Sequence, residues 1–274
     1  MLFHPTTTFI PPRVLAIGGS DSGGSAGIQA DLKTLTARGV YGTSALTIIT
    51  AQNTMGVQQS FPLPIPFIQQ QIRAVLDDIG TSAIKTGLLG RADVVQMVAD
   101  EAQRNGQAML VVDPVLVNGE GHLIVSAETV GAYLEILFPQ ATIVTPNLDE
   151  ASRLVGMPPA TCLDDFYGLA RKLHALGRSK AVLIKGGHLN DTDHVVDLLF
   201  DGQSFTELSA PRLPVENPHG VGCTYASAIA AELARGFSIK SAVQTAHAYL
   251  HRALSGALNW QLGQGRSPVR HFVE

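Results

Sequence analysis

The amino-acid sequence predicts an α/β fold in which helices cover both faces of a central, mostly parallel sheet. Short apolar segments typical of buried strands alternate with segments whose apolar residues recur at helical spacing. Repeated strand–helix–strand order needs crossover connections, and these make neighbouring strands parallel. Hydrophobic residues form 45% of the 274 residues, which is enough to bury such a sheet from both sides.

The first predicted unit is a strand at Arg13–Ile17, a glycine-rich turn at Gly18–Gly24 and a helix at about Ser25–Arg38. Apolar residues of this helix recur at helical spacing, and a glycine follows its last turn. A segment rich in β-branched residues, Thr43–Thr50, predicts the second strand. Proline in the first turn favours a helix at Pro64–Asp78.

Strands and helices continue to alternate to about residue 185. The further predicted strands are Ala83–Lys85, Met109–Val112, Ala141–Thr145 and Ala181–Lys185. The further predicted helices are Ala92–Asn105, Ser126–Leu137, Leu148–Val155 and Leu163–Leu176. A hairpin is predicted from Val195–Phe200 and Ser204–Leu208, with its turn at Asp201–Gly202. Two alanine-rich helices follow, at about Cys223–Arg235 and Ser238–Leu258.

One domain is predicted at residues 13–262, with an N-terminal extension at 1–12 and a C-terminal tail at 263–274. The first residues lack the features of a signal peptide, and no apolar run is long enough to span a membrane. A net charge of −4 with no basic run argues against nucleic-acid or anionic-membrane partners. Two cysteines, Cys162 and Cys223, are too few for a disulfide framework or a four-ligand zinc site, which favours a reducing, cytoplasmic location.

Small and polar residues follow each predicted parallel strand. In strand order these segments are Gly18–Asp21, Ala51–Thr54, Thr86–Gly87, Asp113–Pro114, Pro146–Asn147 and Gly186–His188. Ligands of such sheets bind beyond the carboxyl ends of the strands, so an active site is expected at this edge.

Two features near the first strand each have a structural and a functional interpretation. The glycine-rich turn fails the dinucleotide fingerprint at Ser20 and the Walker pattern at Ser25. It is either a tight strand-to-helix turn or a place where a small ligand approaches the backbone. Asp31 lies at the edge of the apolar stripe of its helix, either as a solvated carboxylate or as one that hydrogen-bonds a ligand.

The most informative segment is Asn217–Thr224, which carries two glycines and opens a helix. Glycines let successive backbone amides face one point, and a helix N-terminus adds partial positive charge, so the segment predicts a phosphate site. The same field should lower the pKa of the Cys223 thiol, whose thiolate could then take a proton from a substrate hydroxyl. The alternative is an inert small residue at a helix start.

Two further sites have alternative interpretations. Asn147 and Glu150 have the spacing of a capping box, but Glu150 could instead organise Mg²⁺ and water around a nucleoside triphosphate. Lys185 ends a strand beside two glycines, where it could touch a phosphate chain or simply be solvated.

Taken in order, these motifs resemble those of the ribokinase-like superfamily, and most closely those of the hydroxymethylpyrimidine/phosphomethylpyrimidine kinases of thiamine biosynthesis. The resemblance runs from about Val14 to the final helices. Cys223 is the most discriminating residue, since most ribokinase relatives carry a catalytic aspartate at that place. The matching motifs are Gly19–Lys33, Thr50–Thr54, Asp113–Val115, Thr145–Glu150, Lys185–His188 and His219–Thr224.

The resemblance implies a three-layer α-β-α kinase, usually a homodimer. Such an enzyme phosphorylates 4-amino-5-hydroxymethyl-2-methylpyrimidine and then its monophosphate, using ATP and Mg²⁺. By position, the residues implied to bind the pyrimidine are Gly19, Asp31, Gln52, Leu88 and Val115. The implied anion site is Gly220, Gly222 and Cys223, with Cys223 as the base; Asn147 and Lys185 would bind ATP, and Glu150 the metal.

Two positions and one segment depart from the family pattern. Leu88 stands where the family commonly has methionine, and Val221 stands where it usually has threonine. The segment Asn118–His122 differs from the usual Ser-Gly-Asp pattern. These differences bear on substrate detail and rate rather than on the fold.

Other functions stay open at this point. Pyridoxal kinase activity would use a site for a similar hydroxymethyl heteroaromatic ring. A non-catalytic pyrimidine or nucleotide sensor could share the fold, although Cys223, Glu150 and Lys185 are all present. A Rossmann oxidoreductase is disfavoured by Ser20. The sequence does not decide whether Asn190–His194 moves as a lid.

Overall fold

The computed structural model describes residues 9–118, 121–187, 193–215 and 218–273. The strands found there are β1 (Arg13–Asp21), β2 (Tyr41–Asn53), β3 (Gly56–Pro62), β4 (Ala83–Thr86), β5 (Met109–Val112), β6 (Ile143–Val144), β7 (Val182–Ile184), β8 (His194–Phe200) and β9 (Phe205–Pro211). The helices are α1 (Gly27–Ala37), α2 (Ile65–Asp78), α3 (Ala92–Asn105), α4 (Ala127–Ala132), α5 (Leu148–Val155), α6 (Leu163–Gly177), α7 (Val221–Ala234) and α8 (Ile239–Ser255). A π-helical turn, Tyr133–Leu137, continues α4.

All nine strands form one sheet in the order β3-β2-β1-β4-β5-β6-β7-β8-β9. The strands from β2 to β7 pair in parallel, so the predicted α/β class is confirmed. β3 pairs antiparallel at one edge, and β8 and β9 form the predicted antiparallel hairpin at the other.

The core lies on both faces of the sheet, as a buried parallel sheet requires. Successive residues of β1 point to opposite faces, so that Val14 packs in one cluster and Leu15 in the other. The first cluster contains residues of α1, α7 and α8, and the second contains residues of α2, α3, α5 and α6. These three layers leave the carboxyl ends of the parallel strands open at one edge.

Strand β3 is the main element that the sequence analysis does not predict. All seven of its residues are exposed, so no burial pattern marks it, and pairing with β2 holds it in place. This pairing extends β2 to Asn53, which places Gln52 within a strand rather than after one. Helix α7 begins at Val221, two residues earlier than predicted, so Cys223 is its third residue.

The segment predicted as a tail packs against the domain. Val269 and His271 are buried, and Tyr249 Oη donates a hydrogen bond to the His271 carbonyl oxygen at 2.6 Å. Residues 263–273 are called the C-terminal clasp below. Among the described residues, no helix combines the length and apolar character needed to cross a bilayer.

Candidate active site

A cleft of about 650 Å³ opens at the carboxyl edge of the sheet and runs along α7 and α8 toward β8 and β9. Seven of the predicted site residues line it, namely Val115, Asn147, Glu150, Lys185, Gly220, Gly222 and Cys223. The other four, Gly19, Asp31, Gln52 and Leu88, are not on its walls.

The N-terminus of α7 forms the most constrained part of this cleft. Gly220 precedes the helix with a φ of +83°, and a Cβ atom there would lie 1.8 Å from the Ser25 carbonyl oxygen. A Cβ atom at Gly222 would lie 3.1 Å from Lys185 Nζ. The first backbone amides of a helix have no acceptor within that helix. Because Gly220 and Gly222 carry no side chains, neighbouring groups can approach these amides closely. These contacts give the N-terminus of α7 the geometry of an anion site with a cation beside it.

A buried ion pair stands next to this helix end. Lys185 Nζ donates to Asp113 Oδ1 at 2.8 Å, and Thr145 Oγ1 donates to the same oxygen at 3.2 Å. Burial would lower the pKa of Lys185, but the charges of Asp113 and Glu150 outweigh it, and the pKa is raised. Lys185 therefore keeps its positive charge at neutral pH. It is not a freely solvated strand terminus.

Glu150 has the capping role that its spacing predicts. Its backbone amide donates to Asn147 Oδ1, and the Asn147 amide donates to Glu150 Oε2, both at 2.9 Å. The Leu116 amide donates to Glu150 Oε1 at 3.2 Å. Burial raises the pKa of Glu150 to about 7, with Lys185 opposing and Asp113 reinforcing this effect.

The Glu150 carboxylate can still accept a cation, because each of its oxygens retains a lone pair beyond its amide contact. Mg²⁺ is commonly held by one or two carboxylates together with substrate phosphates, and Glu150 lines the cleft beside Lys185. The residues present therefore fit a metal that arrives with a nucleotide. Within the described part of the chain, no cluster of three or more metal-binding side chains forms a cage of its own.

Asp31 does not reach the cleft, contrary to the substrate contact that the resemblance implies. It is fully buried, and Lys85 Nζ lies 2.8 Å and 3.0 Å from its two oxygens. Ser227 Oγ donates to Asp31 Oδ1 at 2.8 Å. Asp31, at the edge of the apolar stripe of α1, therefore faces a buried lysine rather than solvent or a ligand.

The Cys223 thiol lines the cleft, but its expected low pKa is wrong. Burial raises the pKa to about 11, while Lys85 lowers it and Asp31 and Asp113 raise it further. The backbone amide of Gly27 favours the thiolate. A thiol of this pKa is protonated at neutral pH, so a thiolate would be a minor form in the free protein.

Gln52 lies beside the cleft and contacts the loop before α7. Its Nε2 is 2.9 Å from His219 Nε2, and Thr50 Oγ1 donates to its Oε1 at 3.2 Å. Burial and the charge of Arg266 lower the pKa of His219, which favours the neutral imidazole at neutral pH. Gln52 is therefore tied to the loop before α7 through a neutral hydrogen bond.

Gly19 and Leu88 lie close together on the neighbouring wall. A Cβ atom at Gly19 would lie 3.7 Å from Leu88 Cδ2 and 2.9 Å from Ile48 Cγ2. Thr47 Oγ1 donates to the Leu88 carbonyl oxygen at 2.7 Å, which fixes the backbone there. This apolar corner belongs to the strand ends of β1 and β4.

The C-terminal clasp joins the turn after Gln52 to the loop before Cys223. The amide of Arg266 donates to the Thr54 carbonyl oxygen at 3.0 Å, and the amide of His219 donates to the Ser267 carbonyl oxygen at 2.9 Å. His271 Nε2 lies 3.0 Å from Thr224 Oγ1 in the first turn of α7. The clasp thereby bridges two parts of the site.

Three residues that shape the site have no role predicted from the sequence, namely Asp113, Asp21 and Lys85. Asp113 follows β5 at the carboxyl edge, and this position was the signal that could have identified it. Asp21 accepts the amides of Gly23, Ser25 and Ala26 at 2.8–3.0 Å, which makes the first glycine-rich turn a capped turn. Lys85 pairs with Asp31 next to the site. It lies within the otherwise ordinary buried strand β4, so no local pattern marks it.

Some expectations fall outside the described residues. They concern Asn217 of the anion loop, His188 after β7, part of the Asn190–His194 segment, and Gly119 and Glu120 within Asn118–His122.

A family profile described as phosphomethylpyrimidine kinase matches residues 21–270. A hydroxymethylpyrimidine/phosphomethylpyrimidine kinase from Rhizobium meliloti is 45% identical over 260 residues, covering 94% of this chain and 96% of that protein. A thiamine biosynthetic bifunctional enzyme of Arabidopsis thaliana is 43% identical over 262 residues. The chain spans about half the length of that enzyme, since the match covers 95% of this chain and 50% of the relative.

Solved structures show the same likeness. The ADP complex of Bacillus subtilis pyridoxal kinase has a TM-score of 0.89 and 38% identity, covering 95% of this chain and 97% of the other. A phosphomethylpyrimidine kinase from Clostridium difficile has a TM-score of 0.78 and 37% identity, covering 88% of this chain and 99% of the other. By a sequence match that covers residues 21–270 and by its ribokinase-like architecture, the chain belongs to the phosphomethylpyrimidine kinase family.

Proposed function

We propose that this enzyme transfers the γ-phosphoryl group of ATP to 4-amino-5-hydroxymethyl-2-methylpyrimidine and then to the monophosphate of that compound, in thiamine diphosphate biosynthesis. As a member of this kinase family, the chain is a phosphotransferase. One observation carries the proposal: Cys223 lies at the third position of α7, where free helix amides and Lys185 face the same cleft. An ATP-consuming step fits the cytoplasmic location that the cysteine content favours.

The pyrimidine would lie at the Gln52 side of the cleft. The Gln52 amide can both donate and accept, as an aminopyrimidine edge requires, and the ring would replace its contact with His219. Val115 lines the cleft, and the apolar corner of Leu88 and Gly19 beside it would have to open toward the ring to contact it. Asp31 would support this wall from behind through Lys85 rather than touch the substrate.

ATP would lie along the cleft from Lys185 toward α8. Lys185 and the amides of α7 would bind the phosphates, and Asn147 and Glu150 stand at the strand ends beside them. When bound with the nucleotide, Mg²⁺ would neutralise phosphate charge at Glu150.

The chemical step depends on positioning and charge more than on covalent chemistry. The Cys223 thiolate would take the proton of the substrate hydroxyl as that oxygen bonds to the γ-phosphorus. The bond from this phosphorus to the β–γ bridging oxygen breaks, and ADP leaves with the electron pair. The free helix amides would hold the charge of the transferred group. A base whose pKa is about 11 is strong but sparsely populated at neutral pH, which limits the rate.

Pyridoxal kinase activity is the second candidate, favoured by the likeness to pyridoxal kinases from Bacillus subtilis and Staphylococcus aureus. Steady-state kinetics with ATP and each acceptor separates the candidates. We expect the kcat/KM for the hydroxymethylpyrimidine to exceed that for pyridoxal by at least about tenfold, which corresponds to about 1.4 kcal/mol. A higher value for pyridoxal would overturn the assignment. Tight binding without turnover of any acceptor would indicate a sensor.

A homodimer is also proposed. Ile49 of β2 pairs with Phe61 of β3, and both side chains are exposed together with Val57. An exposed edge strand is a template for pairing with another chain, and an exposed apolar patch marks an interaction surface. Analytical ultracentrifugation should give twice the monomer mass of 29.0 kDa. A monomer at micromolar concentration would contradict the proposed dimer.

A further inference from the structure

Lys85 is a lysine with no exposed surface, and its burial needs an explanation. A buried ammonium is costly unless it is paired, and Asp31 pairs with it at 2.8 Å and 3.0 Å. Replacing such a pair by apolar residues is often neutral or stabilising, so stability alone is a weak reason for its presence. The location of the pair suggests another reason.

The pair lies directly against the face of α7 that carries Cys223. Ser227 donates to Asp31 Oδ1 at 2.8 Å, and it stands one helical turn after Cys223 on the same face. Lys85 Nζ also lies 3.1 Å from the place of a Cβ atom on Gly87, next to the apolar corner formed by Leu88. The ammonium therefore lies beside the face of α7 that carries Ser227 and Cys223, to which Asp31 links it.

We propose that Lys85 is a positioning residue, the internal counter-ion that stabilises the Cys223 thiolate, and that Asp31 and Ser227 hold its ammonium group in place. This inference rests on the proposed role of Cys223 as the base. It assigns to Asp31 a role in orienting Lys85 instead of direct contact with the substrate.

The charges around Cys223 determine whether each substitution makes its thiol easier or harder to ionise. The charges that act on the Cys223 thiol are those of Lys85 on β4, Lys185 directly after β7, Asp31 on α1 and Asp113 directly after β5. The two ammonium groups favour the thiolate, and the two carboxylates oppose it. Removing Lys85 should therefore make the thiol harder to ionise, whereas removing the charge of Asp31 should make it easier.

The test measures the rate of Cys223 alkylation by iodoacetamide as a function of pH, with no substrate present. All variants carry Cys162→Ser, because Cys162 is an exposed free thiol that would also react. Below the thiol pKa, the rate follows the thiolate fraction, which changes about tenfold for each unit of pKa. We expect Lys85→Met to slow alkylation at pH 9 by at least about tenfold and Asp31→Asn to accelerate it.

Arg38→Met is the matched control. Arg38, directly after α1, forms another largely buried ion pair, with Glu232 of α7 at 2.6 Å, and Glu232 lies nine residues beyond Cys223. Its loss should lower stability without moving the alkylation profile. If Lys85→Met does not fold, Lys85→Met combined with Asp31→Asn removes both charges and should still react more slowly than Asp31→Asn alone.

The proposal is overturned if Lys85→Met matches the Arg38→Met profile, or if Lys85→Met and Asp31→Asn shift the rate in the same direction. Turnover gives a second readout, in which Lys85→Met should lower kcat while leaving KM nearly unchanged. Because alkylation needs no acceptor, a shifted profile would support the counter-ion role even if the proposed substrate proved wrong. An unchanged profile in an enzyme that phosphorylates the pyrimidine would reject only the role of Lys85.

Discussion

Replacement of Cys223 by alanine is expected to lower kcat by about 10²–10⁴-fold, the usual contribution of a positioned general base. The thiol lines the cleft at the N-terminus of α7, and no other cysteine is available there, since Cys162 is exposed on the surface. KM for ATP and for the pyrimidine should change little, because the amides, Lys185 and Gln52 remain. Steady-state kinetics at saturating substrates measures this effect.

Cys162→Ala is the matched control for this substitution, and it should retain wild-type turnover. If Cys223→Ala also kept near-wild-type kcat, Cys223 would not be the base. Because phosphoryl transfer depends mainly on positioning, that result would leave the anion site as the main source of catalysis.

The pH dependence of kcat is an independent test of the role of the Cys223 thiol. Its pKa is raised to about 11, so roughly one thiol in ten thousand is ionised at pH 7 in the free enzyme. The reactive thiolate becomes more abundant as pH rises toward that value. The kcat of the wild type should therefore increase through the alkaline range in which the protein stays folded, and the residual activity of Cys223→Ala should lack this increase. A wild-type profile that is flat between pH 8 and pH 10 would count against the thiolate.

Replacement of Gly220 by alanine is expected to lower kcat by at least about 10²-fold, comparable with the loss of one donor to a developing anion. The new methyl group would lie 1.8 Å from the Ser25 carbonyl oxygen and 2.8 Å from its carbonyl carbon. Both neighbours are backbone atoms, so the loop must move and take the first amides of α7 away from the phosphate. The φ of +83° adds about 1–2 kcal/mol of strain for a residue with a side chain.

Gly236, at the other end of α7, provides the matched control for this change. Its φ is +91°, but a Cβ atom there would meet no atom within 4 Å. Gly236→Ala therefore imposes similar backbone strain without a clash, and it should reduce stability while leaving kcat close to that of the wild type. Equal losses of kcat in both variants would show that strain in α7, rather than displacement of the anion loop, explains the effect. Circular dichroism and urea unfolding of both variants would confirm that the comparison is made on folded protein.

The sequence predicts the sheet and the helix start at Gly220–Cys223 well, because both depend on local signals. Apolar segments that alternate with helical segments define the strands. The Gly220–Cys223 segment is recognisable because its glycines and cysteine are adjacent in the sequence, at the start of a predicted helix. The Asn147–Glu150 capping box is a local signal of the same kind, and the structure confirms it.

The features that the sequence analysis missed depend on distant residues. Asp31 is buried because its partner Lys85, 54 residues away, lies behind it in the sheet. The C-terminal clasp is ordered through Thr54, whose hydroxyl accepts the amide of Gly265 across 211 residues. The thiol pKa of Cys223 depends on burial by several elements, which no local motif reports. Strand β3 has no buried face to mark it and is fixed only by pairing.

A crystal structure of the enzyme with ADP, Mg²⁺, aluminium fluoride and the hydroxymethylpyrimidine tests the proposed centre of phosphoryl transfer most directly. We expect the aluminium fluoride to accept hydrogen bonds from the amides of residues 221–223 beside Lys185. Cys223 Sγ should lie within hydrogen-bond distance of the hydroxymethyl oxygen. Aluminium fluoride bound away from the N-terminus of α7, or a Cys223 sulfur turned away from the hydroxymethyl oxygen, would contradict this mechanism.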